Sequence, residues 1–422
     1  MSTEHTDATR LEIGLVVAVL LLSLWLRVER IDLMQFSGDQ AQFLHLAASA
    51  AAEGRLPAVG LRSSATVHLP GVFVWLLIPL ATISTHPIWI TVAIALLNVA
   101  GIAALYLLAR RCAGPAVALC AAALLGCGLY PLHYSRSIWN FNVIPPLTCL
   151  AALGLWEALR GGRGVWLPVS AALVAALVQI HPTAAGFALA WGVAWLFGMR
   201  RGLVAASAAG VVVAALVAAP FLVHEARHDW VDLKPVPGPG HASRQGGEAV
   251  AYALSELTTR DYARYFLGDD AARFEAGTGS SAVVAGWILI AALLAGLGIH
   301  ARNAWRRWRT TRDRAALGWD LLWPGWLLFT PLLLELSPLR GYPHYLSCTL
   351  PAQAYFAALG LLGWSLPVAR GRALQIAVAT VVCVIHVAWF AAFIRFIDAN
   401  PHRATGDFTR LWRDVVPRNP RG

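Results

Sequence analysis

The sequence predicts an all-α, polytopic integral membrane protein of about eleven transmembrane helices. Three features carry that prediction: an apolar excess, a recurrence of apolar runs long enough to cross a bilayer, and arginines at every second link. Hydrophobic residues make up 58% of the 422 residues and charged ones 13%, against a usual charged share of roughly 25%. A water-soluble core cannot use so much apolar surface, because large exposed patches drive association. The runs recur from near residue 13 to residue 397, so the chain reads as a single membrane domain, 1–422, with no separate soluble unit.

Each span needs about 20 mostly apolar residues. Spans are expected near 11–28, 88–109, 115–132, 139–158, 165–181, 183–199, 203–223, 282–300, 318–336, 344–363 and 373–396. The first run is followed by Arg27-Val28-Glu29-Arg30 and not by a small-residue cleavage site, which reads as a retained helix and not a removed leader. No internal repeat of fixed period is visible.

The links set the direction. Arg110-Arg111, Arg160 with Arg163, Arg200-Arg201, the run Arg302 to Arg314, and Arg370 with Arg372 fall at every second link. They share one side if the amino terminus is cytoplasmic. The stretch Val67 to Ser84 then cannot be a full span, since every later cluster would switch sides. It is expected as a juxtamembrane helix opened by His68-Leu69-Pro70-Gly71.

Two long outer loops follow, 29–87 and 224–281, with an outer tail at 397–422. The second loop opens with the connector Lys234-Pro235-Val236-Pro237-Gly238-Pro239-Gly240. Beyond it, Glu248 to Leu267 has the apolar spacing of an amphipathic helix lying across the outer face.

Composition also excludes. The net charge of +10 comes from arginines in the links, with Lys234 the only lysine, so it follows the positive-inside rule and not a nucleic-acid face. The six cysteines lie in or beside apolar runs without a CxxC pair, as small buried hydrophobes do. No GxGxxG after a strand and no P-loop is present, so no nucleotide cofactor is expected.

The spans are nearly free of ionisable groups, whereas an ion-coupled transporter places acids or histidines at mid-membrane. Polar material gathers at the expected outer surface instead. Asp39, in Phe36-Ser37-Gly38-Asp39-Gln40-Ala41, precedes the Ala-rich stretch Ala41 to Glu53. It can serve as the anion at a helix amino terminus or as a general base at the membrane boundary, and position does not choose between these. Tyr134-Ser135-Arg136-Ser137-Ile138-Trp139-Asn140, His181-Pro182 and Arg340-Gly341-Tyr342-Pro343-His344-Tyr345 form outer tips. Singly, such arginines can snorkel and such aromatics can belong to the interfacial belt; together they suit a phosphate-bearing lipid.

These segments resemble the membrane-embedded glycosyltransferases of GT-C architecture that use polyprenyl-phosphate sugars, the protein O-mannosyltransferases and lipid A aminoarabinose transferases. The matching motifs, in order, are Gly38-Asp39-Gln40-Ala41, His68-Leu69-Pro70-Gly71-Val72-Phe73, Arg136-Ser137-Ile138-Trp139-Asn140 and His344-Tyr345-Leu346 with Pro351. The resemblance implies inverting transfer of a monosaccharide from a polyprenyl-phosphate donor to a lipid, glycan or protein acceptor on the outer face of a cell membrane. It implies Asp39 as base, and Arg136, Arg340, His344 and Tyr345 around the donor phosphate. Gln40, His68, Asn140 and His181 would line the pocket. A divalent cation, magnesium or manganese, would draw on Asp39, His68 or His181. Many relatives carry two adjacent acids where this chain has Asp39-Gln40; Glu225, Asp229 and Asp232 are the acids that could compensate. A carrier or flippase for lipid-linked sugars and a non-catalytic scaffold of the same topology are the competing expectations.

Overall fold

The computed structural model describes residues 2–63, 67–234, 246–255, 257, 262–337, 342–364, 370–400 and 410–415, with side chains from residue 10 onward. Arg340 and the connector residues 235–240 lie outside the described residues. An apolar segment in hydrocarbon must satisfy its own backbone groups, so the long runs fold as helices.

The chain opens with α1 (Ser2–Val28), then α2 (Gly38–Glu53), a two-stranded antiparallel hairpin of β1 (Val59–Arg62) and β2 (His68–Pro70), and α3 (Val72–Ala81). The bundle follows: α4 (Pro87–Ala113), α5 (Pro115–Cys127), the short α6 (Leu129–Tyr134), α7 (Ile144–Leu159), α8 (Trp166–Ile180), α9 (Ala185–Gly198) and α10 (Val204–Arg227). After the second loop, with α11 (Glu248–Ser255), α12 (Tyr262–Leu267) and α13 (Ala271–Thr278), come α14 (Ser281–Thr311), α15 (Arg314–Leu336), α16 (Leu350–Leu362), α17 (Gly371–Ala399) and α18 (Trp412–Val415).

Among the described residues, eight helical segments are long and apolar enough to cross a membrane. The other three expected spans fall on α5, α8 and α9, of 13, 15 and 14 residues. At a 1.5 Å rise these cover about 20–23 Å of a hydrocarbon core about 30 Å thick. Their ends are set by breakers: α5 stops at Gly128, and α8 stops at His181-Pro182. The juxtamembrane expectation for 67–84 corresponds to α3, a helix of ten residues.

Helix ends are capped as the sequence dictates. Pro87 and Pro115 occupy first turns, and Asp313 accepts from the N–H groups of Ala315 (2.9 Å) and Ala316 (3.1 Å) to start α15. Close approach depends on glycine where α14 meets α16: a methyl at Gly296 would collide with the Phe356 carbonyl, and one at Gly360 with that of Ala292.

Two buried arginines hold the carboxyl-terminal end of α1. Arg27, 1% exposed, donates to the carbonyls of Ser23 and Gly126, each at 2.9 Å, tying α1 to α5. Arg136, 4% exposed, reaches back from the turn after α6 to the carbonyls of Leu26 (2.6 Å), Glu29 (2.7 Å) and Arg30 (3.0 Å). The point at which the chain leaves α1 is therefore fixed from both sides.

One expectation needs correction. The stretch 248–267 is not one helix lying on a face. It forms α11 and α12, and Tyr262, Phe266 and Leu267 are buried in the core. Glu335 caps α11 by accepting from Gly247 (3.1 Å) and Ala249 (2.9 Å), and Gln353 accepts from the Leu257 N–H at 3.0 Å. These partners from α15 and α16 draw the segment inward. Residues 410–415 return to the segment between α1 and α2: Phe36 N–H donates to Arg410 O and Trp412 N–H to Met34 O, both at 3.0 Å. The Phe36 and Trp412 rings meet edge to face at 4.9 Å.

Candidate active site

The acidic turn is built locally. Gln40 folds back so that its Oε1 accepts from the Ser37 N–H at 2.8 Å and from its hydroxyl at 2.5 Å, closing the first turn of α2. Gln40 is 1% exposed and serves as an inward-facing cap. Asp39, beside it, stays at the open surface of the turn. Surrounding protein raises its carboxyl above the ordinary range, and the Trp139 side chain partly offsets this.

Trp139 is where the second element enters. Every residue from 131 to 149 is buried except Trp139, the one side chain of that stretch to break the surface. The tip is held rigid beneath it: Asn142 donates to the Ser137 carbonyl (2.6 Å), and Asn98 from α4 donates to the Asn142 carbonyl (2.9 Å). The Trp139 ring lies 4.9 Å from both Phe141 and His344.

From Trp139 the cluster continues through imidazoles and phenols. His344 sits 4.5 Å from Phe141 and 4.7 Å from Tyr345, and its Nδ1 is 2.8 Å from the Tyr265 hydroxyl at α12. His181 packs 4.3 Å from Phe141 and 5.1 Å from Tyr345, with its Nδ1 2.8 Å from the Thr183 hydroxyl. Asp39, Trp139, His181, His344 and Tyr345 thus form one contiguous group drawn from four separate stretches of chain.

Other expected members are elsewhere. Arg136 does not face this group as a phosphate ligand; its guanidinium is committed to three main-chain carbonyls and lies 5.3 Å from the Phe390 ring. Asn140, 2% exposed, is spent on the Ile180 carbonyl at 2.9 Å, where it ties the tip to the end of α8. His68 pairs with Asp232 instead, its Nδ1 at 3.2 Å. Two features carry no advance signal in sequence: the bearing on Asp39 of Trp139, whose indole reads there as an interfacial aromatic, and the docking of the tail beside Asp39.

An apolar groove of about 510 Å³ lies between α8, α9 and α10, and Val178, Gln179, Trp191, Ala214 and Ala218 line it. Gln179 stands two residues before His181.

No protein-family model matches the chain, and neither does any curated protein. Solved structures do. ArnT from Cupriavidus metallidurans in the apo state aligns with a TM-score of 0.55 at 14% identity, over 92% of this chain and 76% of that one. The same protein bound to undecaprenyl phosphate gives 0.51 at 15% identity, with the same coverage. The Archaeoglobus fulgidus oligosaccharyltransferase, in complex with zinc and sulfate, gives 0.53 at 14% identity over 89% of this chain and 53% of that one. These likenesses define the class: a multi-pass membrane protein with the GT-C fold of membrane glycosyltransferases.

Proposed function

We propose that the protein is an inverting glycosyltransferase that moves a monosaccharide from a polyprenyl-phosphate donor to a lipid, glycan or protein acceptor at the outer membrane face. The observation that carries this reading is the meeting of Asp39 with Trp139 beside His344, His181 and Tyr345, within the GT-C fold. Asp39 takes the proton of the acceptor nucleophile as that atom attacks the anomeric carbon. The bond to the donor phosphate breaks, its electron pair leaves with the polyprenyl phosphate, and the anomeric configuration inverts.

The ring faces of Trp139 and Tyr345 offer a platform for a sugar, and the apolar groove between α8, α9 and α10, which includes Gln179, offers room for a lipid chain. ArnT was solved with undecaprenyl phosphate, which favours a polyprenyl carrier as the occupant. With Arg136 committed elsewhere, Arg340 is the arginine we assign to the donor phosphate. Charged contacts of this kind are worth about 2–4 kcal/mol in barrier. No cation is routed through Asp39, since Gln40 removes the neighbouring carboxylate that would share it.

The test is a transfer assay on membranes given a radiolabelled polyprenyl-phosphate sugar, with Asp39→Asn beside the wild type at equal expression. General-base removal predicts a loss of about 10²–10⁴ in turnover. Label that crosses the bilayer without forming a glycosidic bond identifies a carrier, and equal turnover in both proteins removes Asp39 from the chemistry.

A further inference from the structure

Outside the Asp39 group, a second cluster forms where α10 ends. The helix finishes at Arg227, and Asp229 and Trp230 both take left-handed backbone angles, with φ of 55° and 57°. Two adjacent non-glycine residues in that region are strained, the tryptophan most of all. The tight reversal swings Asp232 back onto the helix end, where its N–H donates to Glu225 Oε2 at 3.1 Å.

The result is costly unless something compensates it. Glu225 is fully buried, at 0% exposure, and the Asp232 side chain is 4% exposed. Glu225 Oε1 has no hydrogen-bond partner. Among the described residues no arginine or lysine pairs with either carboxylate, and His68 alone stands against Asp232. Two buried carboxylates side by side repel each other and lack solvation.

His224 completes the geometry. One ligand atom each from His224, Glu225 and Asp232 lies within 4.8 Å of the others. The His224 ring is stacked on that of His228 at 4.0 Å, which holds the imidazole in place. Asp232 is oriented from the hairpin: His68 N–H donates to its Oδ1 at 2.7 Å, and the His68 Nδ1 lies 3.2 Å from both of its oxygens. A carboxylate held this way is a typical outer support of a metal ligand.

We infer that His224, Glu225 and Asp232 bind one divalent transition-metal ion of the zinc class. The ion joins the end of α10 to the β1–β2 hairpin through the His68–Asp232 contact. One imidazole and two carboxylates suit zinc, whereas magnesium prefers an all-oxygen shell that retains water. The buried, unpartnered Glu225 oxygen and the strained reversal at 229–230 are then explained together: the ion supplies the missing positive charge. The role assigned is a structural clip between two outer segments, independent of the transfer reaction proposed above, because Asp39 takes no part in it.

The experiment uses the full chain without a polyhistidine tag, purified in detergent, stripped with chelator and dialysed against zinc in the presence of excess magnesium. Elemental analysis is expected to find about one zinc per chain in the wild type. His224→Ala and Glu225→Gln are expected to lower zinc affinity at least about tenfold. Cobalt substitution gives a second readout, a visible absorption band present in the wild type and lost in His224→Ala. Zinc should raise the unfolding temperature of the wild type and not that of a folded variant. Absence of stoichiometric zinc in the wild type overturns the inference, as does equal zinc retention by His224→Ala. If Glu225→Gln does not fold, the partly exposed His224 variant decides.

Discussion

The ring of Trp139 lies 4.9 Å from that of His344, and the same side chain lowers the Asp39 carboxyl. One residue thus bears both on the acid at the start of α2 and on the imidazoles and phenols of two other segments. The influence favours the ionised form, which the proposed general base requires.

The pH dependence of transfer follows from that contact. Asp39 has a carboxyl raised by burial, so the base is lost on acidification at a higher pH than an ordinary aspartate at about 3.9. Trp139→Phe keeps the ring and removes the N–H, which withdraws the one influence that lowers this carboxyl. The acid limb of the rate profile should move to higher pH. An unmoved limb would show that Asp39 is not the group titrating.

Arg136→Met should act on stability and not on donor affinity. It leaves the carbonyls of Leu26, Glu29 and Arg30 without their buried partner. Each carbonyl left unsatisfied costs about 1–3 kcal/mol, so the unfolding temperature should drop strongly. The apparent KM for the polyprenyl donor in the protein that still folds should stay near wild type. A selective rise in KM at unchanged stability would return Arg136 to the phosphate.

Filling the groove tests where the lipid chain runs. Ala214 lines it between α8, α9 and α10. If the proposed polyprenyl donor lies here, Ala214→Trp should raise the apparent KM for long-chain donors about tenfold, with a smaller effect on a donor whose prenyl chain is truncated. Equal effects on both donors would place the chain elsewhere.

Trp412→Ala probes the tail. The ring packs against Phe36 at 4.9 Å and against His86, the cap of α4, at 5.5 Å. Losing it should cut transfer severalfold while the global unfolding temperature shifts by only a few degrees, about what a partial loss of aromatic burial gives. Unchanged transfer would show that the acidic turn holds its shape without the tail.

Much of the bundle is legible in the sequence because a spanning helix depends on its own composition more than on its neighbours. Asp39, His181, His344 and Tyr345 are legible as candidates by residue type and motif order, and the fold brings them together. Arg136 is different: an arginine at an outer tip reads the same whether it faces a phosphate or three carbonyls of a distant helix end. The inward draw of Tyr262 and Phe266 is hidden for a similar reason, since the capping groups Glu335 and Gln353 come from helices far along the chain. The reversal at Asp229-Trp230 violates local preference, so no local rule could announce it.

The return of residues 410–415 to Met34 and Phe36 has a bearing on how the molecule folds. The main chain just before the turn that carries Asp39 is bonded to residues far later in sequence. Contacts so distant along the chain form late, because the long loop between them must close first. The surroundings of this acid are therefore set among the last steps of folding and not the first.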